Sequence, residues 1–434
     1  MVPALDHTKV CTPNILIRMI PETYRLLAPV KAQEQMSHFL PADADEVAAT
    51  VAEAAVTRTP LSITGLASKA ALGRPVKNAC RLDLSQLNGI TFYEHEELVV
   101  SALSGTPIET IEALLAKNGQ ELPFEPMSFA ALYDTGPGTL GGAIMTNLSG
   151  PRRIKAGAAR DFVLGIKAVS GRGEAFKAGG RVVKNVTGYD LSRGLAGSFG
   201  TLAVATEITL KVLPRAETSV TLILENLDPA HAIEALCAAM GAPVDVSGAA
   251  HLPLDAARTQ GFTTSVTAIR LEGFAASVTE RFERLAALLR SFAPAEGLET
   301  QASQALWQAI RDVTPLAKPR DGIIWKISVA PTAGPKFASA IGGHHNAKTL
   351  FDWAGGLVWL ALDACPDAAA GLIRETIAQL GGGHATLIRA PAEVRAEIPV
   401  FEPQNVTLAA LSRRLKDAFD PYGILEPRRI WAEF

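Results

Sequence analysis

The sequence predicts an α+β protein built from two larger parts, and three observations carry that prediction. Up to Pro214, short strands and helices are separated by four loops of small residues. Beyond Pro214 the loops give way to longer strands alternating with helices, the pattern of an open sheet covered on one face. At 434 residues the chain is also too long for one ordinary core.

Asp43-Ala-Asp-Glu46 is a capping-box pattern that opens an Ala-rich helix to about Thr57. Short strands follow at Leu61–Thr64, Cys80–Leu84 and Leu98–Ala102. Pro107 then sits in the first turn of a helix that Asn118-Gly119 stops. Another element runs through Thr139–Leu148. Asp161–Ser170 reads as a strand turned by Gly171-Arg-Gly173 into Glu174–Lys177, and Thr201–Leu213 as a long β-branched strand. In the second part, strands are predicted at Ser219–Glu225, Thr264–Arg270, Gly322–Val329 and Gly355–Leu362. Helices are predicted at Pro229–Met240, after the box Ser277-Val-Thr-Glu280, and over Asp367–Leu380. Leu408, Leu411, Leu415 and Phe419 are spaced as the apolar face of a closing helix. Residues 1–36, interrupted by four prolines, read as a poorly ordered extension, with Met36 a candidate native start.

Hydrophobic residues make up 48% and charged residues 20%, a globular balance. The formal charge of −3, from 41 basic and 44 acidic residues, argues against a nucleic-acid partner. No apolar run reaches the roughly 18–20 residues that span a bilayer, and Arg18 interrupts the Asn14–Ile20 stretch that a signal peptide would need. The expected location is cytoplasmic, which includes a peripheral place on the inner face of the membrane through a complex. Cys11, Cys80, Cys237 and Cys365 lie far apart, so neither a cluster nor a metal site is expected. Adjacent His344 and His345 point apart in an extended chain and have no carboxylate at metal-ligand spacing, so they read as a loop.

The loops are the informative part. Gly65-Leu-Ala-Ser68-Lys69 leaves a strand through small residues that carry a hydroxyl and a cation. That combination suits an anion nest with two side-chain donors. Gly136, Gly138 and Gly141 formally spell G-x-G-x-x-G, yet Leu122–Asp134 lacks the buried strand a Rossmann site requires. Gly179–Arg193 and Gly197-Ser-Phe-Gly200-Thr201 complete the set. Four such loops within about 140 residues fit one long ligand threaded between two small subdomains.

Several stretches are similar to a known family. They are Thr139-Leu-Gly-Gly-x-Ile-x-x-Asn147-x-Ser-Gly-Pro-Arg-Arg153, Arg160-Asp-Phe-Val-Leu-Gly165 and Gly197-Ser-Phe-Gly-Thr-Leu-x-Val-x-Thr-Glu207. Together with Gly65-x-Ala-Ser-Lys69 they resemble the FAD-binding domain of the vanillyl-alcohol-oxidase and para-cresol-methylhydroxylase (PCMH) group. Phe419-Asp-Pro-Tyr-Gly-Ile-Leu-Glu-Pro427 resembles the ending of the same wider group, while Val182–Arg193 and Gly382-Gly-His-Ala-Thr-Leu-Ile-Arg389 narrow the resemblance to the FAD-binding subunits of glycolate oxidase.

The resemblance implies a two-subdomain PCMH-type FAD-binding domain over 37–216. It implies an α+β cap with an antiparallel sheet over 217–390, and a segment over 391–434 that returns to the FAD domain. Implied FAD contacts are Gly65, Leu66, Ala67, Ser68, Lys69 and Gly73, then Gly138, Thr139, Gly141, Gly142, Asn147 and Gly150. Asp161, Gly197, Gly200, Thr201, Glu207 and Ile208 complete them. The family usually has glycine where this chain has Ala67, so a negative φ is needed for its methyl to fit. Neither histidine nor cysteine occurs in 61–75 or 136–150, so non-covalent FAD is expected.

Oxidising a 2-hydroxy acid needs a base for the hydroxyl proton and a cation for the carboxylate. His384 and Arg389 are the candidates, although their odd spacing sets them on opposite faces of a strand. Lys184, Tyr189 and Arg193 read as ties between subdomains or to a partner. The implied activity is oxidation of glycolate to glyoxylate, beside a larger flavin subunit and an iron–sulfur subunit. A self-sufficient D-lactate or other 2-hydroxy-acid dehydrogenase and a non-catalytic FAD-binding scaffold stay open.

Overall fold

The structure, a computed structural model, describes residues 38–182 and 188–434. The expected extension over 1–36, with Met36, and Lys184 lie outside the described residues.

The first part holds two small sheets. His38–Phe39, Cys80–Asp83 and Leu61–Thr64 form a three-stranded parallel sheet in that order. Helix Ala44–Thr57 covers it, because Asp43 accepts from Asp45 N and Glu46 N and so caps its start. The helix buries Val47, Val51 and Ala54 in a core shared with Leu61, Leu82 and Leu425. The second sheet is antiparallel, in the order Ile90–Glu94, Val99–Leu103, Ala203–Lys211, Val163–Ser170 and Ala175–Gly179. The strand expected from Asp161 starts at Val163 because Ala159–Phe162 form a 3₁₀ turn. Helices Ile108–Ala116 and Leu140–Thr146 bury Ile111, Leu115, Leu140 and Ile144 against this sheet.

The second part is an eight-stranded antiparallel sheet. Its order is Ala295–Leu298, Thr218–Glu225, Val266–Gly273, Val246–Leu252, Ala347–Asp352, Leu357–Leu362, Ile323–Ser328, His384–Arg389. The alternation of side chains decides what each face meets. Trp325 and Ile327 point to a face covered by Ile233, Leu236, Leu285, Phe337 and Ile373 from four helices. The other face, with Ile324, Trp359, Leu350 and Ile388, packs on Phe129, Leu132 and Leu148 of the first part. One sheet therefore forms a lid over the first part.

A group of charges fixes the lid. Arg152 reaches Glu121 at 2.7 Å and Glu272 at 2.8 Å, and Arg270 reaches Glu125 at 2.7 Å. Burial alone would raise the Glu125 carboxyl, but Arg270 and Arg152 hold it at about 2.

Two expectations change. The helix expected to start at Ser277 begins at Ala275, without a side-chain cap at Phe274, and Ser277 instead accepts from Arg281 Nε within the helix. Helix Val406–Phe419 exists, but Leu408, Leu411 and Leu415 are 45–52% exposed. Its buried residue is Lys416, whose ammonium donates to Thr201 O, Leu425 O and Asp420 Oδ2 at 2.6–2.9 Å. These acceptors, fixed by the following turn, dock the helix through a charge rather than through leucines. The chain then runs beside the first sheet, with Leu61 N donating to Ile424 O and Glu426 N to Leu61 O.

Candidate functional site

Strand Leu61–Thr64 feeds the loop Gly65–Lys69, and among the described residues the N–H groups of Leu66, Ala67, Ser68 and Lys69 donate to no protein acceptor. Ala67 adopts φ +55°, not the negative value its methyl favours, so the loop is strained at this residue. The Lys69 side chain is buried, and its ammonium has no acceptor or counter-ion among the described residues. Burial lowers its pKa to about 8, against a small opposing pull from Asp312.

A second loop closes on the first. A methyl at Gly138 would stand 2.9 Å from Lys69 Nζ and 3.3 Å from Ser68 Oγ. One at Gly65 would stand 2.7 Å from Thr139 Oγ1. The short, branched Thr139 side chain makes glycine necessary at 65, whereas at Gly138 the nearest atom is the movable end of Lys69. Thr139 then caps helix Leu140–Thr146 by accepting from Gly142 N. The two loops line a cleft of about 300 Å³ with Ser104, Phe199, Gly200, Arg395, Glu426 and Arg429 among its other walls. Among the described residues, Ser104 Oγ and Glu426 Oε2 are buried there without a hydrogen-bond partner, and no histidine or cysteine lines the cleft.

The cleft brings together Gly65, Leu66, Ala67, Ser68, Lys69, Thr139, Gly141, Gly142 and Gly200 of the expected contacts. Gly138 stands beside it. Gly73 packs on Arg429, and its carbonyl accepts from Arg395. Asn147 ends the helix at φ +50° and holds Arg160 N, with Gly197 close against it. Gly150 lies where the two parts meet, against Glu125 and Arg311. Asp161 accepts from Ala158 N in the 3₁₀ turn, and Thr201 Oγ1 donates to Ser198 O. Glu207 pairs with Lys167, while Ile208 is in the core of the five-stranded sheet.

At the lid, Lys326 projects from the face that meets the first part, two residues along from Ile324. Its ammonium lies 5.2 Å from the centre of the Trp353 ring, and the Arg153 guanidinium lies 4.7 Å from the same centre. Trp353 Nε1 donates to Gly150 O, so the ring is tied to the first part. His384 pairs with Ser328 in the ladder and Thr386 with Lys326, so His384 and Lys326 share a face. Burial, then the Lys326 charge, lowers the His384 pKa although the ring keeps an exposed side. Asp352 is buried close by, and that burial raises its carboxyl to about 7.

Arg389 does not serve as the expected carboxylate cation. Its guanidinium donates to the carbonyls of Gly322, Leu132, Ala317 and Pro319 at 2.7–3.1 Å, which leaves it no reach for a ligand. A bulge opposite Ile324–Trp325 also breaks the alternation that would have set it across from His384. Tyr189 is exposed and Arg193 pairs with Asp190. His344 and His345 form a turn after helix Gly334–Gly342. Sequence reasoning missed Lys326, Trp353, Arg395 and Arg429. Only Lys326 left a signal, as a lone cation inside the apolar strand Ile323–Ser328.

A family described as an FAD binding domain matches residues 38–179. The chain is 36% identical to the glycolate oxidase subunit GlcE of Escherichia coli (strain K12) over 383 residues, 88% of this chain and 96% of that one. It is 33% identical to a D-lactate dehydrogenase of Anaerostipes hadrus, over 42% of this chain and 38% of that enzyme. Among solved structures, p-cresol methylhydroxylase with substrate bound superposes with a TM-score of 0.68 at 13% identity, covering 92% of this chain and 89% of that one. Alkyldihydroxyacetonephosphate synthase superposes at 0.67 and 19% identity, covering 90% and 75%. At these identities the two structures speak for the fold.

Proposed function

We propose, from the premise that this chain belongs to the family of FAD-linked oxidoreductases that includes glycolate oxidase subunit GlcE, that it binds FAD non-covalently within a glycolate-oxidising complex. Its reaction is the oxidation of glycolate to glyoxylate, with the electrons passed on to partner subunits. The observation that carries the reading is the junction of the two loops. Free N–H groups of Leu66–Lys69 and the uncompensated Lys69 ammonium face one cleft. That donor set fits a diphosphate. Bound FAD supplies the acceptor for two electrons from the hydroxyl-bearing carbon.

The chain's own contribution is to hold and to enclose. Gly138 lets Lys69 reach the diphosphate, and Arg429 and Arg395 brace the loop by donating to the carbonyls of Lys69, Ala70 and Gly73. His384, kept neutral near pH 7 by its lowered pKa, is the candidate acceptor of the hydroxyl proton. The relatives named as glycolate oxidase subunits support an assembly of more than one chain, and a larger flavin subunit and an iron–sulfur subunit are the partners of this reading.

An absorption spectrum of the purified chain tests this, before and after glycolate, alone and with co-expressed partners. A flavin spectrum that glycolate bleaches, alone or with partners, supports the reading. Bleaching by D-lactate alone would replace glycolate as the substrate. A colourless protein that rejects added FAD would overturn it.

A further inference from the structure

We propose that Lys326 and Arg153, brought together on Trp353 from the two parts of the molecule, form an anchor for the carboxylate of a small 2-hydroxy acid. The inference rests on the oxidoreductase reading above and names the recognition element that reading lacks once Arg389 is committed to carbonyls.

Four observations carry it. First, the Lys326 ammonium and the Arg153 guanidinium lie 5.2 and 4.7 Å from the centre of one indole ring, so they are no more than about 10 Å apart. Second, neither side chain forms an ion pair or hydrogen bond among the described residues, whereas the neighbouring Arg152 and Arg270 are saturated by Glu121, Glu125 and Glu272. The Arg153 charge lowers the Lys326 pKa after burial does, against an opposing pull from Asp352, and a bound anion removes the repulsion between the two cations. Third, the pair is separate from the diphosphate loops. Helix Leu140–Thr146 starts at those loops, and the chain after it reaches Trp353 through Gly150 O. Seven residues of helix put about 10 Å between the ends.

Fourth, the register suits a short hydroxy acid. Lys326 pairs with Thr386 and Ser328 with His384, so Lys326 and His384 are diagonal neighbours on one face. Such neighbours stand roughly 7–8 Å apart at the backbone. A carboxylate held by Lys326 and the forked guanidinium of Arg153 leaves the adjacent hydroxyl-bearing carbon on the side of His384. Asp352, two strands from Lys326, lies on the side away from the His384 strand.

The test is calorimetric titration of the FAD-loaded full chain with oxalate, which offers carboxylates and has no hydroxyl-bearing carbon to oxidise. Wild type is expected to bind. Lys326→Met and Arg153→Gln are each expected to weaken binding tenfold or more, Lys326→Arg to restore part of it, and flavin content to stay unchanged. The proposal is overturned if wild type binds no oxalate, or if both variants bind it like wild type. A loss of flavin at unchanged oxalate affinity also overturns it, since the cations would then serve the cofactor. Flavin bleaching by glycolate separates the two readings. If Lys326→Met bleaches at the same half-saturating glycolate as wild type, the anchor fails alone. If wild type with partners never bleaches yet oxalate binding depends on Lys326, the anchor stands and the oxidation reading fails.

Discussion

Replacing Lys69 with methionine should weaken FAD binding while stabilising the protein that has no FAD. Lys69 is only 9% exposed, and its ammonium has no ion-pair partner among the described residues. Its pKa falls from 10.5 to about 8, chiefly through burial. The drop corresponds to roughly 3 kcal/mol of unfavourable confinement. A diphosphate beside it reverses that penalty, so Lys69→Met should raise the FAD dissociation constant by about 10²-fold at pH 7. The folded pKa lies below the unfolded one, which fixes the pH dependence. The penalty is complete below pH 8 and fades as pH rises to 10.5, so FAD-free wild type gains stability across that window and Lys69→Met does not. FAD affinity in wild type should fall up to tenfold per pH unit over the same range, because binding takes up a proton. Flavin fluorescence titration from pH 7 to 10, with denaturant melts of FAD-free protein, reads both halves. A variant that keeps FAD within threefold of wild type, or that is less stable without FAD, refutes the reasoning.

Three further outcomes are expected. Ala67→Gly removes a methyl from a left-handed residue at φ +55° and should stabilise the protein by roughly 0.5–1 kcal/mol, read from its melting temperature. Glu125→Gln leaves Arg270 and Arg152 without their shared carboxylate between the two parts and should cost about 3–5 kcal/mol in a denaturant melt. The wild-type carboxyl sits at about 2, so its contribution is present above pH 4.5 and disappears as pH falls through 2. Acid should release all flavin into the supernatant, because no histidine or cysteine lines the cleft; yellow precipitate would contradict this.

The cleft was legible because the diphosphate recognition proposed for it works through backbone, and backbone recognition leaves a mark in residue size. Gly65, Ala67, Ser68 and Gly138 are small where two loops must meet, and that smallness is visible without coordinates. The lid was legible as strands and helices, since Ile323–Ser328 and Leu357–Leu362 are β-branched or aromatic apolar runs. Its use was not. Arg389 stood in a recognised motif, yet one bulge turned it toward four carbonyls. Leu408, Leu411 and Leu415 kept perfect helical spacing, yet a single buried ammonium at Lys416 decided how that helix docks. Periodicity reports which faces are apolar. It is silent on whether a neighbouring polar group has already claimed the contact.

The same consideration separates the buried Lys69 and Lys416 and the half-buried Lys326, which look alike in sequence. Lys416 is surrounded by Asp420 and two carbonyls, so its burial is compensated inside the fold and its role is structural. Lys69 and Lys326 each drop to about 8, and among the described residues neither has an acceptor. A fold retains such groups against their desolvation penalty when something outside the chain completes them. Lys69 stands among free N–H groups where helix Leu140–Thr146 starts, and Lys326 stands beside Trp353 and Arg153, in the chain beyond that helix, on the face of His384. Each asks for an anion, and the surroundings differ in kind. An arc of backbone donors accommodates the several oxygens of a diphosphate, whereas two side-chain cations on an indole accommodate one carboxylate. A cofactor held at one site and an acid held at the other would bring the reacting carbon between them, which is the geometry an oxidation of that carbon requires.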